Sequence, residues 1–321
     1  MGIVNLNRFL IDNCRKSSIH KQKLSSLRNK TIVIDTSIYL YKYASQNALF
    51  ENFYMMISLL RENNITPLFV FDGKPPPEKY DLLDARKLEK KTAEQEYNKI
   101  LSEMESEDKN LTSAQKKELQ QELDTLKNRF IRIRRVDIRM IKKLMDAYGV
   151  MYHDAEGEAD EMCAALVLSG KAWACMSDDM DMLVYGCPRI LRHFSIAGKN
   201  VLIYHMENIL TDLRMDIDTF RKITVLSGTD YNIHLKTSLV ETMKWYEEYI
   251  RKPVHQADEF YQWLHQTTKY IHDYDKLISV YEMFSLQENA LNLYNDLQIQ
   301  LNECNKVELH AVMKEDGFVI P

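Results

Sequence analysis

Seven acids stand out in this chain, carried by five short motifs that mostly follow hydrophobic segments. They are VIDTS with Asp35, FVFDGKPPP with Asp72, EGEADE with Glu158 and Asp160, SDDMD with Asp179 and Asp181, and LSGTDY with Asp230. Hydrophobic runs lead into four of the five, which puts these acids at the rim of a sheet rather than over a solvated surface. Carboxylates gathered without a matching cluster of Lys or Arg repel one another and resist loss of water. Hard divalent cations with oxygen ligands resolve that repulsion, and Mg²⁺ takes few direct carboxylates while keeping several waters. The pattern reads as a metal-dependent, phosphodiester-cleaving site.

Thr31–Asp35 (TIVID) and Pro67–Asp72 (PLFVFD) are expected as short buried strands, with a helix between them from Ile38 to about Glu62. Strand, helix, strand of this length is a βαβ crossover, which implies parallel strands in an α/β sheet. Val150–His153 and Trp173–Met176 repeat the pattern around a helix that opens near Glu158 and stops at Gly170. Arg189–Phe194 and Val201–Tyr204 are further strand candidates. Acids at the carboxyl ends of parallel strands face the crevice where such folds place ligands.

Residues 78 to about 147 break this rhythm and read as two charged helices. Thr112 and Gln115 form a capping box at the start of the second. Leu119, Leu123, Leu126, Phe130, Ile133, Val136, Met140 and Leu144 follow at helical steps, the stripe of a hairpin packing on itself. The opposite face carries Arg129, Arg132, Arg134, Arg135 and Arg139, a basic side able to guide a phosphate backbone. From Thr211 the chain reads as helical to its end, and Trp245, Tyr246, Tyr249, Tyr261, Trp263 and Tyr270 are expected in packing rather than base stacking.

The net charge of −5 argues against a nucleic-acid partner only until it is resolved by region. Lys79 to Leu144 holds 17 Lys and Arg against 13 Asp and Glu. The acid excess therefore lies elsewhere, and the seven motif acids supply much of it. No apolar stretch approaches the ~18 residues of a membrane span. The opening MGIVNLNRFLIDNCRK is charged too early for a secretory signal, and Leu6 breaks a myristoylation pattern at Gly2. Cys14, Cys163, Cys175, Cys187 and Cys304 have no zinc-site spacing. That usage fits a reducing compartment.

FVFDGKPP, GEADEMCAAL and SDDMDMLVYG, in this order and spacing, resemble the flap endonuclease (structure-specific 5′-nuclease) superfamily, and within it the poxvirus branch most of all. The resemblance covers Met1 to about Tyr231. It implies an α/β, PIN-like 5′-nuclease fold: a twisted, mostly parallel sheet flanked by helices, a helical arch insertion (about 78–147) and a helical C-terminal region. Residues 1–250 would form the nuclease domain, with a degenerate helix–two-turn–helix at about 218–250, and 251–321 a helical extension packed on it. The implied metal ligands are Asp35, Asp72, Glu158, Asp160, Asp179, Asp181 and Asp230, holding two Mg²⁺ ions, with Mn²⁺ as a substitute. Asp160 stands where the family usually has Glu. Lys79 and Arg86 match the basic pair of the arch that meets the scissile phosphate. Gly2 matches the family's N-terminal glycine, and Tyr41 its base-stacking tyrosine, although packing beside Tyr39 and Tyr43 stays open. Arg129, Arg132 and Arg135 would attract substrate. Glu156 and Asp178 match no ligand role, and His153 and His193 are expected to be packed or hydrogen-bonded.

The implied activity is a divalent-metal-dependent, structure-specific DNA nuclease, of flap endonuclease or 5′-exonuclease type, in viral replication, repair and recombination in the host cytoplasm. Its partners would be branched, nicked, gapped or overhanging DNA, with no membrane. Two departures stand out. Asn232–Ile233–His234–Leu235–Lys236 replaces the Gly-x-Gly element that binds duplex and K⁺, and the ending DGFVIP lacks a sliding-clamp box. A catalytically silent junction-binding scaffold and a nuclease acting on RNA remain the competing readings; the first is disfavoured by the intact acid set.

Overall fold

Each central strand is apolar on both of its sides, so it must be covered on two faces. The computed structural model describes residues 3–107, 112–232, 237–251 and 260–315. Strands β1 (Ile19–Lys23), β2 (Thr31–Asp35), β3 (Thr66–Phe71), β4 (Met151–Asp154), β5 (Ala174–Met176), β6 (Arg189–Ser195) and β7 (Asn200–His205) form one sheet. Their order is β1-β7-β6-β5-β2-β3-β4. β2 to β6 run parallel, β7 runs antiparallel to β6, and β1 antiparallel to β7.

Helices of the first half are α1 (Leu6–Asn13), α2 (Thr36–Ser45), α3 (Leu49–Glu62), α4 (Tyr80–Glu107), α5 (Ser113–Arg129), α6 (Arg135–Tyr148) and α7 (Ala159–Leu168). Then come α8 (Asp181–Tyr185), α9 (Met206–Leu213), α10 (Ile217–Leu226), α11 (Leu239–Ile250), α12 (Phe260–Thr267), α13 (Tyr274–Phe284), α14 (Glu288–Asn292) and α15 (Lys306–Glu315). Period-two alternation divides the strands between two apolar layers. Val33, Val70, Cys175 and Ile190 join Met162, Leu183, Phe220 and Phe284 on one face. Ile32, Ile34, Phe69, Met176 and Leu191 join Leu40, Phe53, Leu144 and Val312 on the other. The last helices thus contribute to both layers: Phe284 of α13 to the first and Val312 of α15 to the second.

Three local departures from the sequence reading have physical causes. The single helix expected from Ile38 is two, because Asn47 takes a left-handed backbone (φ 52°), which an asparagine tolerates better than most residues. The stripe from Leu119 does not run through one helix either, since α5 ends at Arg129 and α6 starts at Arg135. Leu123 and Leu126 pack against Ala93 and Ile100 of α4, whereas Ile141 and Leu144 belong to the main core. The projecting insertion is therefore the α4–α5 pair, and α6 is part of the body. Val136, counted in the stripe, is 42% exposed. The third departure is β1, whose sequence IHKQK gives no buried-strand signal because it is a sheet edge. The capping box of Thr112 and Gln115 is present as expected.

Candidate active site

The order β5-β2-β3-β4 means that the chain winds outward from β2 in one direction and then returns to its other side. The crevice at such a switch point lies beyond the carboxyl ends of the strands. Asp35 is the last residue of β2, Asp72 follows β3, and Asp179 lies in the loop after β5. Glu158 immediately precedes α7, Asp160 sits in its first turn, and Asp181 opens α8. Asp35, Asp72, Glu158, Asp160, Asp179 and Asp230 all line one cleft of about 130 Å³, together with Tyr41, Lys79 and Arg86. Asp181 lies just beneath, 3% exposed, its N–H donating to Asp179 Oδ1 at 3.2 Å. All seven acids are brought together. Gly2 lies outside the described residues, as do Ile233 to Lys236.

The cleft holds these charges at a cost. Burial pushes Asp35 up to about 7, and Asp72 adds to this, although the Ser177 hydroxyl opposes it. Burial also raises Asp160 well above the carboxylate range, helped by Asp35, Asp179 and Asp181. Asp181 is raised the same way, by burial and then by Asp179 and Asp230. Asp160 Oδ1 and Asp181 Oδ1 are buried without a hydrogen-bond partner. Orphaned carboxyl oxygens in a buried, all-oxygen cluster are the chemistry that a hard divalent cation satisfies.

Among the described residues, no three His, Cys, Asp or Glu side chains are drawn around one point tightly enough to clasp an ion. Two cations explain part of this spread. Lys79 Nζ is paired with Glu158 Oε1, and Arg86 Nη2 with Asp230 Oδ2 at 2.7 Å. Burial works against the Lys79 ammonium, but Glu158, Asp160 and Asp230 together outweigh it and hold the pKa above its ordinary value. Mg²⁺ needs one or two direct carboxylates and keeps waters, so the residues fit such an ion without a closed cage.

Basic side chains frame the way in. A channel of about 780 Å³ adjoins the cleft, shares Tyr41, Asp72, Lys79, Arg86 and Glu158 with it, and adds Lys87, Lys90 and Arg132. Arg132 also pairs with Glu94 at 2.6 Å. Arg129 and Arg135 are exposed on the insertion and its exit, outside the channel lining. Tyr39 and Tyr43 are buried, at 0% and 2%, but Tyr41 is 42% exposed and turned to the cleft. Plain packing accounts for its two neighbours and not for Tyr41. Lys90 Nζ lies 4.9 Å from its ring centre.

Several supporting residues carried no signal of their own in the sequence. Ser177 donates to Asp35 Oδ2 at 3.0 Å and accepts from the Asp179 N–H at 3.1 Å, so one hydroxyl ties β2 to the SDDMD loop. Asn232, fully buried, accepts from the N–H and hydroxyl of Thr229 and donates to Val225 O, which fixes the turn presenting Asp230. The Tyr231 hydroxyl meets Glu158. Asp178 accepts from the His193 N–H at 2.6 Å and pairs with Lys42 at 3.3 Å. Burial opposes the Asp178 charge, yet these partners hold its pKa below the ordinary range. His193 is thus hydrogen-bonded through its backbone, and His153 packs edge-on to Tyr294 at 6.3 Å. Glu156 is exposed.

Asp72 accepts from the Ala159 N–H at 2.8 Å, capping α7 from another element. The neighbouring glycine makes this approach possible. Gly73 N–H donates to Gly157 O at 2.7 Å, and a Cβ at Gly73 would lie 2.0 Å from Ala155 O. Gly73→Ala is expected to force the two acid-bearing loops apart, at a cost of ~1–3 kcal/mol for overpacking. Chemical denaturation checks this: unchanged stability would show that the loops separate freely.

Comparison with known proteins follows the same landmarks. The XPG N-terminal domain matches residues 1–93 and the XPG I-region residues 149–230. Flap endonuclease 1 of Methanococcus aeolicus is 32% identical over 235 residues, covering 67% of this chain and 68% of the relative. The chain belongs to the flap endonuclease family. Flap endonuclease 1 of Homo sapiens is 28% identical over 278 residues, or 78% of this chain and 69% of the relative. For that of Leishmania braziliensis the values are 29% over 257 residues, 72% and 60%. The chain thus spans between 60% and 69% of the length of these three relatives. In fold, it superposes on the catalytic core of Rad2 in complex with DNA substrate, with a TM-score of 0.65 at 20% identity over 98% of this chain and 94% of that one. The flap endonuclease-1 of Methanococcus jannaschii gives 0.59 at 22% identity over 94% and 91%. The family's two matched regions leave out 94–148, the stretch that holds most of the insertion.

Proposed function

We propose that this chain is a divalent-metal-dependent, structure-specific DNA nuclease of the flap endonuclease or 5′-exonuclease type. The observation that carries the reading is the meeting of seven acids, two with orphaned buried oxygens, at the mouth of a basic channel. Asp35, Asp72, Glu158, Asp160, Asp179, Asp181 and Asp230 would hold two Mg²⁺ ions, Mn²⁺ substituting. When bound, the ions lower the pKa of a water and neutralise charge on the scissile phosphate. The protein's own part is to orient and to neutralise. Lys79 and Arg86, released from Glu158 and Asp230, meet the phosphate oxygens in the cleft they line. Tyr41 offers an exposed ring face to a terminal base. Lys87, Lys90 and Arg132 draw the phosphate backbone in, with Arg129 and Arg135 as outlying attraction. The resemblance to the poxvirus branch supports a role in viral DNA replication, repair and recombination in the host cytoplasm.

A panel of 5′-labelled flap, gapped, nicked, overhanging and four-way-junction DNA, with linear DNA and RNA, tests this in Mg²⁺ and in EDTA. Mg²⁺-dependent cleavage preferring branched DNA is expected. Tight binding without cleavage would favour the scaffold, and preferred cleavage of RNA would favour the RNA nuclease.

The raised carboxyls set a pH dependence. In the unfolded chain Asp35 titrates near ~4, so between ~4 and about 7 the folded protein holds a proton that the unfolded chain has released. Its contribution to stability is then largest in acid and is lost as pH rises through 7. A divalent ion requires the ionised form and displaces that proton. The rise in melting temperature caused by Mg²⁺ is expected to be small at pH 5.5 and much larger at pH 8. Equal increments at both pH values would contradict it.

A further inference from the structure

Tyr231 touches two members of the site at once. Its hydroxyl donates to Glu158 Oε2 at 2.6 Å, while Glu158 Oε1 takes Lys79. The Lys79 ammonium also lies 5.4 Å from the centre of the Tyr231 ring. That ring is held fast, 3% exposed and edge-on to Phe284 at 5.5 Å. Phe284 is itself 4.8 Å from Tyr185, the last residue of the short helix that Asp181 begins. One side chain therefore links a carboxylate, a cation and the packing behind a second carboxylate.

The chemistry of the group fits the position. A glutamate has three rotatable side-chain bonds, and an unanchored carboxylate has to be ordered whenever it takes a ligand. A neutral donor can fix it without cancelling its charge, which a second Lys or Arg would do. A tyrosine phenol keeps its proton at neutral pH, its ordinary pKa being ~10, so at this contact the phenol is the donor and the carboxylate the acceptor. A hydrogen bond to an ionised acceptor is among the stronger ones. Lys79, by contrast, is held by charge and by a ring face, and both contacts can be exchanged for a phosphate.

We propose that Tyr231 is a positioning residue: its hydroxyl fixes the Glu158 carboxylate for a divalent ion, and its ring is the resting place that Lys79 leaves when a phosphate enters. The inference rests on the metal-site reading of the cleft. It also gives the C-terminal helices a part in the site, because Phe284 of α13 packs edge-on against the ring.

Tyr231→Phe keeps the ring and its packing and removes only the hydroxyl. The test measures the Mg²⁺ midpoint for thermal stabilisation without DNA, alongside single-turnover cleavage across Mg²⁺ concentrations. The midpoint is expected to rise ~10–100-fold, the usual effect of losing a partner of a metal-binding side chain. Cleavage should slow at limiting Mg²⁺ and recover at saturation, with the metal-free melting temperature near that of the wild type. Tyr231→Leu, which also removes the ring, should stay slow at saturating Mg²⁺. A Tyr231→Phe midpoint equal to that of the wild type would overturn the inference alone. So would a lowered metal-free melting temperature with an unchanged midpoint, the mark of a purely structural role. A wild type that shows no Mg²⁺ stabilisation would overturn the metal-site reading and this inference with it.

Discussion

Asp179→Asn is expected to lower Mg²⁺-dependent cleavage of branched DNA by more than ~10³-fold, about 4 kcal/mol of transition-state stabilisation. Asp179 is 9% exposed and faces Asp35, Asp160 and Asp181, whose charges it helps to disfavour. Replacing it by the neutral isostere keeps an acceptor for the Asp181 N–H and relieves repulsion on all three. The metal-free melting temperature should therefore hold or rise as activity disappears. Asp72→Ala should abolish cleavage too, with a different cost in stability. It removes the cap on the Ala159 N–H, worth ~1 kcal/mol. Because the acids share the same ions, combined substitutions should lose no more activity than single ones. Cleavage rates and thermal melts of the two variants decide the matter, and wild-type Mg²⁺-dependent rates in Asp179→Asn would contradict the assignment.

Lys79→Ala and Arg86→Ala should each slow cleavage of already bound DNA by ~10²-fold, the range for one lost transition-state donor. Both residues line the cleft and lie within reach of its acids, Lys79 on Glu158 and Arg86 on Asp230. Loss of either removes the cation beside its carboxylate in the absence of metal, so a modest fall in metal-free stability should accompany the kinetic defect. Arg135→Ala differs, because Arg135 is exposed and lies outside the channel lining. It should weaken binding, flatten the salt dependence by about one unit of slope, and leave the rate at saturating enzyme unchanged. Single-turnover rates at saturating enzyme separate the two classes. Wild-type rates for both Lys79→Ala and Arg86→Ala would remove them from the reaction.

The site was legible in the sequence because its acids follow runs that must be buried. A strand such as TIVID ends where its last residue reaches the rim, so the sequence alone puts Asp35 at that rim. The same logic puts Asp72 just after one strand and Asp179 in the loop after another, and the parallel strands β3 and β5, which flank β2, bring both acids to Asp35. Less legible were features that depend on one backbone angle or on distant residues. The left-handed Asn47 splits a helix that periodicity alone would continue. The break from Phe130 to Arg134 divides an apolar stripe between the insertion and the body, although the spacing hardly changes. β1 is an edge strand with a polar sequence, so it reads like a loop. Tyr231 stands 73 residues from Glu158, and Ser177 stands 142 from Asp35. Their hydroxyls acquire a role only once the fold has brought them to those carboxylates.

The central claim is that the acidic cleft binds divalent ions with its own carboxylates. Anomalous scattering from crystals soaked in Mn²⁺ measures this directly, since the ion and its neighbours are located without reference to activity. The account predicts strong anomalous peaks inside the cleft bounded by Asp35, Asp160 and Asp179, lost in Asp179→Asn. A cleft without such peaks at millimolar Mn²⁺, with Lys79 and Arg86 still paired to Glu158 and Asp230, would contradict it.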